Sequence, residues 1–318
     1  MGDLARRIAG LPDDARAKLA SLLKGRAEAA RTAATGAASP PVAPAADDRL
    51  LLDASAPGEP AALKASYKRF YDSVTTQLDS SPFGQFSYFL NYGYVPDGSP
   101  EYAVVALPDH YLNKNSVKLV LELAGDCPIQ GKRVLDVGCG RGGTIHTLKT
   151  FFAPATLTGL DLSTTAVEFD RKAHRDARTT FHEGDAEHLP FADGAFDVVT
   201  NVESSHSYPN IHRFYSEVHR VLAPDGRFLY TDALSLQQIA ASLAYLDHLG
   251  FELERNRNIT RNVLLSCDQV AATRVQAFDS RNDQQLMQNF LATPGSQVYE
   301  EMRSGRWEYR ILTLRKRR

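Results

Sequence analysis

Cysteine is scarce in this chain. Cys127, Cys139 and Cys267 are its three, too few for a disulfide framework, and they point to a reducing compartment and a cytoplasmic location. No run of about 18 apolar residues is present, which excludes a membrane-spanning helix as an expectation. The N-terminus lacks a long apolar stretch followed by a small-residue cleavage site, so it does not read as a secretory signal. Neither sign of charge dominates. With a formal net charge of −2 the chain carries no basic field, and nucleic acid is not an expected partner. The one basic run, at 315–318, reads as a solvated tail. His182 and His188 are neighbours, but nothing near them repeats zinc-ligand spacing, so no metal is expected. There is no internal repeat.

What remains is ample for a folded enzyme. Hydrophobic residues make up 43% of 318, enough to bury a substantial core. Residues 1–60 differ from the rest: a short Ala/Lys/Arg helix is expected at 11–34, then a small, Pro-rich stretch at 35–46 of linker character. From about residue 61 the composition turns globular. A helix is expected at 61–77. The aromatic segment 83–94, with Phe83, Phe86, Tyr88, Phe89, Tyr92 and Tyr94, reads either as packing surface or as a lid over a ligand.

From residue 110 strands and helices alternate. Strands are expected at 133–137, 156–160, 180–183, 196–201 and 226–231. Helices are expected at 112–124, 144–152, 163–175, 211–222 and 236–249. Such alternation predicts a parallel sheet flanked by helices. A strand at 251–257, a mainly helical stretch at 259–303 and a final strand at 307–315 complete the pattern. A long helical insert before a last strand suits a substrate cap.

The clearest local signal is a strand, then Asp136-Val137-Gly138-Cys139-Gly140-Arg141-Gly142-Gly143, then a helix. The glycines allow a sharp turn and close approach of a ligand to the backbone. In an open parallel sheet that turn lies where ligands bind. The glycine pattern alone is shared by many nucleotide-binding folds. An acidic residue directly before it, Asp136, would repel a pyrophosphate and attract a cationic amino-acid group. The second strand ends at Asp161-Leu162-Ser163, an acid placed to accept from ribose hydroxyls. The third runs into Asp185-Ala186-Glu187, where Asp185 suits an adenine amino group beside the backbone of Ala186.

With these motifs the segment 112–232 resembles the class I S-adenosylmethionine-dependent methyltransferases. The resemblance implies an α/β fold: a Rossmann-like seven-stranded sheet, a helical lid at 61–110, and a core at 111–318 with the insert at 259–303. It implies S-adenosylmethionine as cofactor and S-adenosylhomocysteine as product. The expected cofactor residues are Asp136, Gly138, Cys139, Gly140, Asp161, Leu162, Asp185, Ala186 and Asn201. For Cys139 the plainer role is a small buried side chain within the motif.

The fourth strand ends Asn201-Val202-Glu203-Ser204-Ser205-His206. Methyl transfer to a hydroxyl needs alignment and the removal of one proton, and histidine has a suitable intrinsic pKa. His206 is therefore the expected base. Glu203 is expected either to orient and charge-stabilise it or to hydrogen-bond the cofactor. Asp232, Glu300 and Glu301 are weaker candidates for the same pocket.

A closer resemblance rests on the segment 83–94, on 201–206, and on 262–268 and 294–301 of the insert. These are similar to the O-methyltransferase domains of modular polyketide synthases and to phthiotriol-type lipid O-methyltransferases. That likeness implies a polyketide-type acceptor, small or delivered on an acyl carrier protein, with other synthase domains as neighbours. It implies a histidine base at His206, and contacts to the cofactor from Tyr71, Asn91 and Tyr92. Three rival readings stay open at this level: a C-methyltransferase of sterol or prenyl type, a non-catalytic docking module, and a nicotinamide enzyme, against which Asp136 counts.

Overall fold

The computed structural model describes residues 60–81, 84–98, 105–275 and 284–318. The helix and linker expected at 11–34 and 35–46, and Phe83, lie outside the described residues. The described chain begins with α1 (Pro60–Asp79) and continues through α2 (Lys114–Ala124), β1 (Arg133–Val137), α3 (Gly143–Phe151), β2 (Thr156–Asp161), α4 (Thr164–Ala173), β3 (Thr179–Glu183) and β4 (Phe196–Val202). It then passes through α5 (Ile211–Val221), β5 (Leu222–Ser235), α6 (Leu236–His248), β6 (Phe251–Asn258), α7 (Thr260–Val275), α8 (Gln284–Phe290), α9 (Gln297–Arg303) and β7 (Trp307–Lys316).

The strands form one seven-stranded sheet in the order β3-β2-β1-β4-β5-β7-β6. The first five pair in parallel, and β7 inserts antiparallel between β5 and β6. The chain builds outward from β1 to β3 and then returns to place β4 beside β1. That reversal opens a crevice at the carboxyl ends of β1 and β4.

Alternation along the strands supplies both faces of the sheet. On β1, Val134 packs into one apolar layer while Leu135 and Val137 pack into the other. On β4, Val198 and Val199 divide in the same way. A strand buried on both faces must be apolar at nearly every position, which is why β1 reads as a short continuous run. Helix α5 turns Phe214, Tyr215, Val218 and Val221 inward at helical spacing, and Asn210 caps it by accepting from the Arg213 amide.

Three expectations need correction. The strand foreseen at 226–231 is part of a longer β5, and the helical stretch at 259–303 is divided among α7, α8 and α9. The basic run at 315–318 is not a solvated tail. Arg315 and Lys316 belong to β7; Arg315 pairs with Asp225 and Glu252, Arg317 with Asp247 and Arg318 with Asp225. An antiparallel strand at this position runs next to acidic residues of β5 and β6, and the arginines answer them. Among the described residues, no helix is long and apolar enough to cross a membrane.

Candidate active site

The site grows from the β1–α3 turn. Gly138 has φ +70°, and a Cβ added there would lie 2.3 Å from Ser204 Oγ and 2.7 Å from the Tyr208 hydroxyl. Only glycine fits both the backbone angle and the space. The turn is held from below. Asn201 Nδ2 donates to the Val137 carbonyl at 2.9 Å and reaches the Ser204 and Tyr208 hydroxyls. It is held from the side by Asp161, whose carboxylate accepts from the Gly140 amide at 2.7 Å and the Ser163 amide at 2.8 Å. Burial pushes the Asp161 pKa up, and those two backbone bonds oppose the rise.

A cleft opens above this turn, with about 1150 Å³ of empty space, part of it open to solvent. That suffices for a nucleoside-sized ligand, since such pockets typically span about 300–1,000 Å³. Gly138, Cys139, Gly140, Asp161, Leu162, Asp185 and Ala186 line one end, and Glu203, His206, Asn91 and Tyr92 also line it.

Two residues expected on its wall are elsewhere. Asp136 is 1% exposed and lies behind the turn, where it accepts a 2.6 Å hydrogen bond from Thr200 Oγ1. Asn201 is fully buried and spends its amide on the turn. Both are short polar groups near a strand end, but the pleat directs them into the sheet rather than up to the cleft. Burial raises the Asp136 pKa to about 7, against the opposing Thr200 hydrogen bond.

At the tip of β4 the chain forms one tight turn, Ser205–Ser207. It presents His206, whose side chain is 8% exposed. Its Nδ1–H donates to Asp232 Oδ1 at 2.8 Å, and its backbone amide donates to Asp232 Oδ2 at 3.1 Å. Ser205 Oγ donates to that same Oδ2 at 2.6 Å. Nε2 has no partner among the described residues. Burial alone would lower the His206 pKa; the Asp232 charge and hydrogen bond, with Glu203, outweigh it and hold the imidazole above its ordinary value.

Glu203 is therefore not the residue that orients His206. It adopts φ +50°, and its carboxylate accepts from the Tyr92 amide at 2.8 Å and from the Tyr309 hydroxyl. These bonds pin the 88–95 segment to the tip of β4 and to β7. The Glu203 charge still helps to raise the His206 pKa, and Glu203 lines the cleft, where the expected hydrogen bond to the cofactor stays open to it. The same segment is tied to the insert, where Ser266 Oγ donates to the Tyr92 carbonyl at 2.7 Å. Glu300 and Glu301 do not line the cleft; they pair with Arg303 and Arg306.

The sequence placed a helical lid at 61–110 but did not reveal the side-chain pairs by which α1 meets the strand tips. Lys64 Nζ lies 2.7 Å from Asp185 Oδ2 and 2.6 Å from Glu187 Oε2. Lys68 donates to the Leu162 carbonyl at 2.8 Å and pairs with Glu183. Asp72 accepts from Ser163 Oγ at 2.6 Å. Arg141, fully buried, donates to the carbonyls of Ser87 and Gly84 and to Asp79 Oδ1. It thereby locks the glycine turn to the roof. The available signal was the polar stripe Lys64, Lys68 and Asp72 at four-residue spacing on one helix face. Burial would raise the Asp185 pKa, but Lys64, the Glu187 backbone amide and His188 hold it low.

The donor set fits S-adenosylmethionine. A bare glycine turn permits close approach, Asp161 and Asp185 offer acceptors for hydroxyl and amino groups, and the buried Asp136 carboxyl beneath gains from a cation above it. Among the described residues no group of three His, Cys, Asp or Glu is arranged to hold a metal ion.

Comparison with known proteins agrees with this geometry. A family model described as a methyltransferase domain matches residues 135–230. A fatty-acid O-methyltransferase of Mycolicibacterium smegmatis is 39% identical over 228 residues, covering 70% of this chain and 81% of that protein. A phthiotriol/phenolphthiotriol dimycocerosates methyltransferase of Mycobacterium tuberculosis is 32% identical, covering 81% and 95%. Among solved structures, the [4+2]-cyclase SpnF aligns with a TM-score of 0.60 at 23% identity, covering 79% of this chain and 95% of its own. The geranyl diphosphate C-methyltransferase of Streptomyces coelicolor, solved with S-adenosyl-L-homocysteine, aligns at 0.59 and 19%, covering 82% and 99%. These two share the fold, and their different chemistries mean that the fold does not choose the reaction.

Proposed function

This chain belongs to the S-adenosylmethionine-dependent methyltransferase family, and we propose that it methylates an oxygen, a hydroxyl or enol, on an acyl chain of polyketide type, carried on an acyl carrier protein or free. The enzyme class and cofactor follow from the family. The choice of oxygen rests on one observation: the 2.8 Å pair between Asp232 and Nδ1 of His206, a buried imidazole that lines the cleft, which leaves Nε2 to act as the base.

S-adenosylmethionine, when bound, supplies a methyl group on a sulfonium that is already electrophilic. The residues of the chain have two tasks. The glycine turn, Asp161 and Asp185 hold the nucleoside, and Leu162 and Ala186 line the same end. His206 Nε2 accepts the proton of the acceptor hydroxyl as the oxygen takes the methyl. Asp232 fixes the tautomer that leaves Nε2 unprotonated and stabilises the imidazolium that forms. A positioned base of this kind contributes typically about 10²–10⁴-fold.

A second reading has its own support. The Mycolicibacterium smegmatis relative is named for fatty acids, and a carboxylate acceptor needs no base because it is already ionised at neutral pH. The test is incubation with labelled S-adenosylmethionine and three acceptors: a carrier-bound β-hydroxyacyl chain, a carrier-bound β-ketoacyl chain and a free fatty acid. An O-methyl ether or enol ether, identified by the carbon shift of the new methyl and lost in His206→Ala, is the expected result. A methyl ester formed at undiminished rate by His206→Ala would replace this reading with the second one, and a C-methyl product would refute both.

A further inference from the structure

We propose that Phe290 is the residue that sets which acyl chains the acceptor end of the cleft admits. The proposal deepens the reading above and rests on it for the acyl nature of the substrate.

The cleft has two chemically different ends. The tips of β1, β2 and β3 bring glycine backbone and carboxylates. From His206 the wall runs the other way, through Ser207, whose Oγ shares a 3.1 Å hydrogen bond with the Tyr71 hydroxyl. Beyond that hydroxyl the wall becomes carbon. The Tyr71 ring meets Phe70 edge-on at 5.3 Å and Phe290 edge-on at 6.1 Å, and Phe70 meets Phe290 at 5.3 Å. Tyr71 and Phe290 line the cleft with Phe70 packed against both; none of the three rings carries a charge, and burial keeps the Tyr71 phenol protonated. A surface of this kind fits the aliphatic body of a chain whose oxygen is at His206.

Phe290 is singled out by its position. Of the described residues in the insert at 259–303, it is the one that lines the cleft. It is 6% exposed and ends α8, where the following turn is buried and hydrogen-bonded, with the Leu291 amide donating to the Met287 carbonyl and the Ala292 amide to the Asn289 carbonyl. Edge-to-face packing fixes ring orientation beyond what burial alone does. The ring is a rigid stop, fixed from behind by its own backbone, that occupies volume a longer or branched chain would need. Its length and shape decide what fits, because each methylene gained or refused in an apolar pocket changes binding by about tenfold or more.

The experiment measures binding, not turnover. Straight and branched β-hydroxyacyl chains of graded length are titrated into the full chain loaded with S-adenosylhomocysteine, using wild type, Phe290→Leu, Phe290→Ala and Phe290→Trp. Affinity for S-adenosylhomocysteine is measured alongside and reports the integrity of the fold. Phe290→Leu, the mildest change, is decisive if Phe290→Ala loses that affinity. The expected result is a shift of about tenfold in preference towards longer or branched chains in the Leu and Ala variants, and towards shorter ones in Phe290→Trp. An unchanged chain profile in the Leu and Trp variants, with S-adenosylhomocysteine affinity intact, overturns the role of Phe290 and leaves the acyl reading standing. Failure of wild type to bind any chain overturns the acyl reading and the role of Phe290 with it.

Discussion

The floor and the roof of the cleft are built from different bonds. The floor consists of the β1–α3 turn, Asp161, and the His206–Asp232 pair at the tips of β4 and β5. It is held by buried contacts to backbone amides and carbonyls. The roof is α1. It is held at its far end by the fully buried Arg141 and in the core by Tyr67, Val74 and Leu78. Over the strand tips its hold comes from side-chain pairs of Lys64, Lys68 and Asp72, with Lys64 and Lys68 side chains 21% and 31% exposed. Buried backbone bonds cannot be exchanged for water without a large loss, whereas half-exposed ion pairs contribute about 0–1 kcal/mol each. The contrast suits an enzyme whose chemistry needs fixed geometry and whose cofactor must come and go. Damage to the floor is therefore expected to cost chemistry or folding, and damage to the roof to change exchange.

The sharpest test of the floor is His206→Ala. Turnover of a hydroxyl acceptor is expected to fall about 10²–10⁴-fold, with S-adenosylhomocysteine affinity unchanged by calorimetry. Near-normal turnover would remove the base from the account.

The buried Asp136 gives a prediction in pH. Its pKa in the folded chain is about 7, well above the ordinary value of 3.8. Between these values the folded state holds a proton that the unfolded state has lost, so the cofactor-free fold loses stability as pH rises from about 4 to about 7. The full effect is bounded by about 4 kcal/mol. Denaturant titrations at pH 5 and pH 8 should show the loss in wild type and a flatter response in Asp136→Asn. The same slope in both proteins would break this assignment.

A smaller effect separates two glycines of the turn. Gly138→Ala meets Ser204 and Tyr208, while a Cβ at Gly140 finds its nearest atom 3.6 Å away. Both share positive φ, with its strain of about 1–3 kcal/mol, so Gly138→Ala should weaken cofactor binding more than Gly140→Ala does. Equal effects would mean that backbone strain alone matters. The smallest change belongs to the roof. Lys68→Met, which removes the more exposed pair with Glu183, is expected to speed cofactor release and reduce its dependence on salt, with equilibrium affinity altered by less than about 1 kcal/mol. Stopped-flow release at low and high ionic strength checks it, and a loss as large as that of Gly138→Ala would erase the distinction between roof and floor.

The floor was largely legible in the sequence, because its signals are local. A buried strand, a glycine turn and an acid at a strand end all occupy consecutive positions; the turn, Asp161 and Asp185 line the cleft, whereas Asp136 and Asn201 lie behind it. The residue that orients His206 was not singled out: Glu203 was given either that task or a hydrogen bond to the cofactor, and Asp232 was only a weaker candidate for the same pocket. Glu203 stands three residues away, but its positive φ sends its carboxylate to Tyr92 and Tyr309, the latter on β7 opposite Ala233 of β5. Asp232 reaches His206 only because β4 and β5 pair with Val202 beside Thr231, a register no local pattern reveals. A lid at 61–110 was expected, but its ion pairs were hidden for the same reason: Lys64 and Asp185 are far apart in sequence, and a lysine on an amphipathic helix reads first as a solvated charge.

The central claim is that His206, held by Asp232, takes the acceptor proton. The direct test is kcat/KM against pH for wild type and Asp232→Asn, on an acceptor that wild type methylates. Because Asp232 holds the His206 pKa above 6.5, the wild-type rate should fall on the acid side through a limb above that value. In Asp232→Asn the limb should move to lower pH and the plateau should drop. Identical profiles with undiminished turnover in the variant would contradict the account.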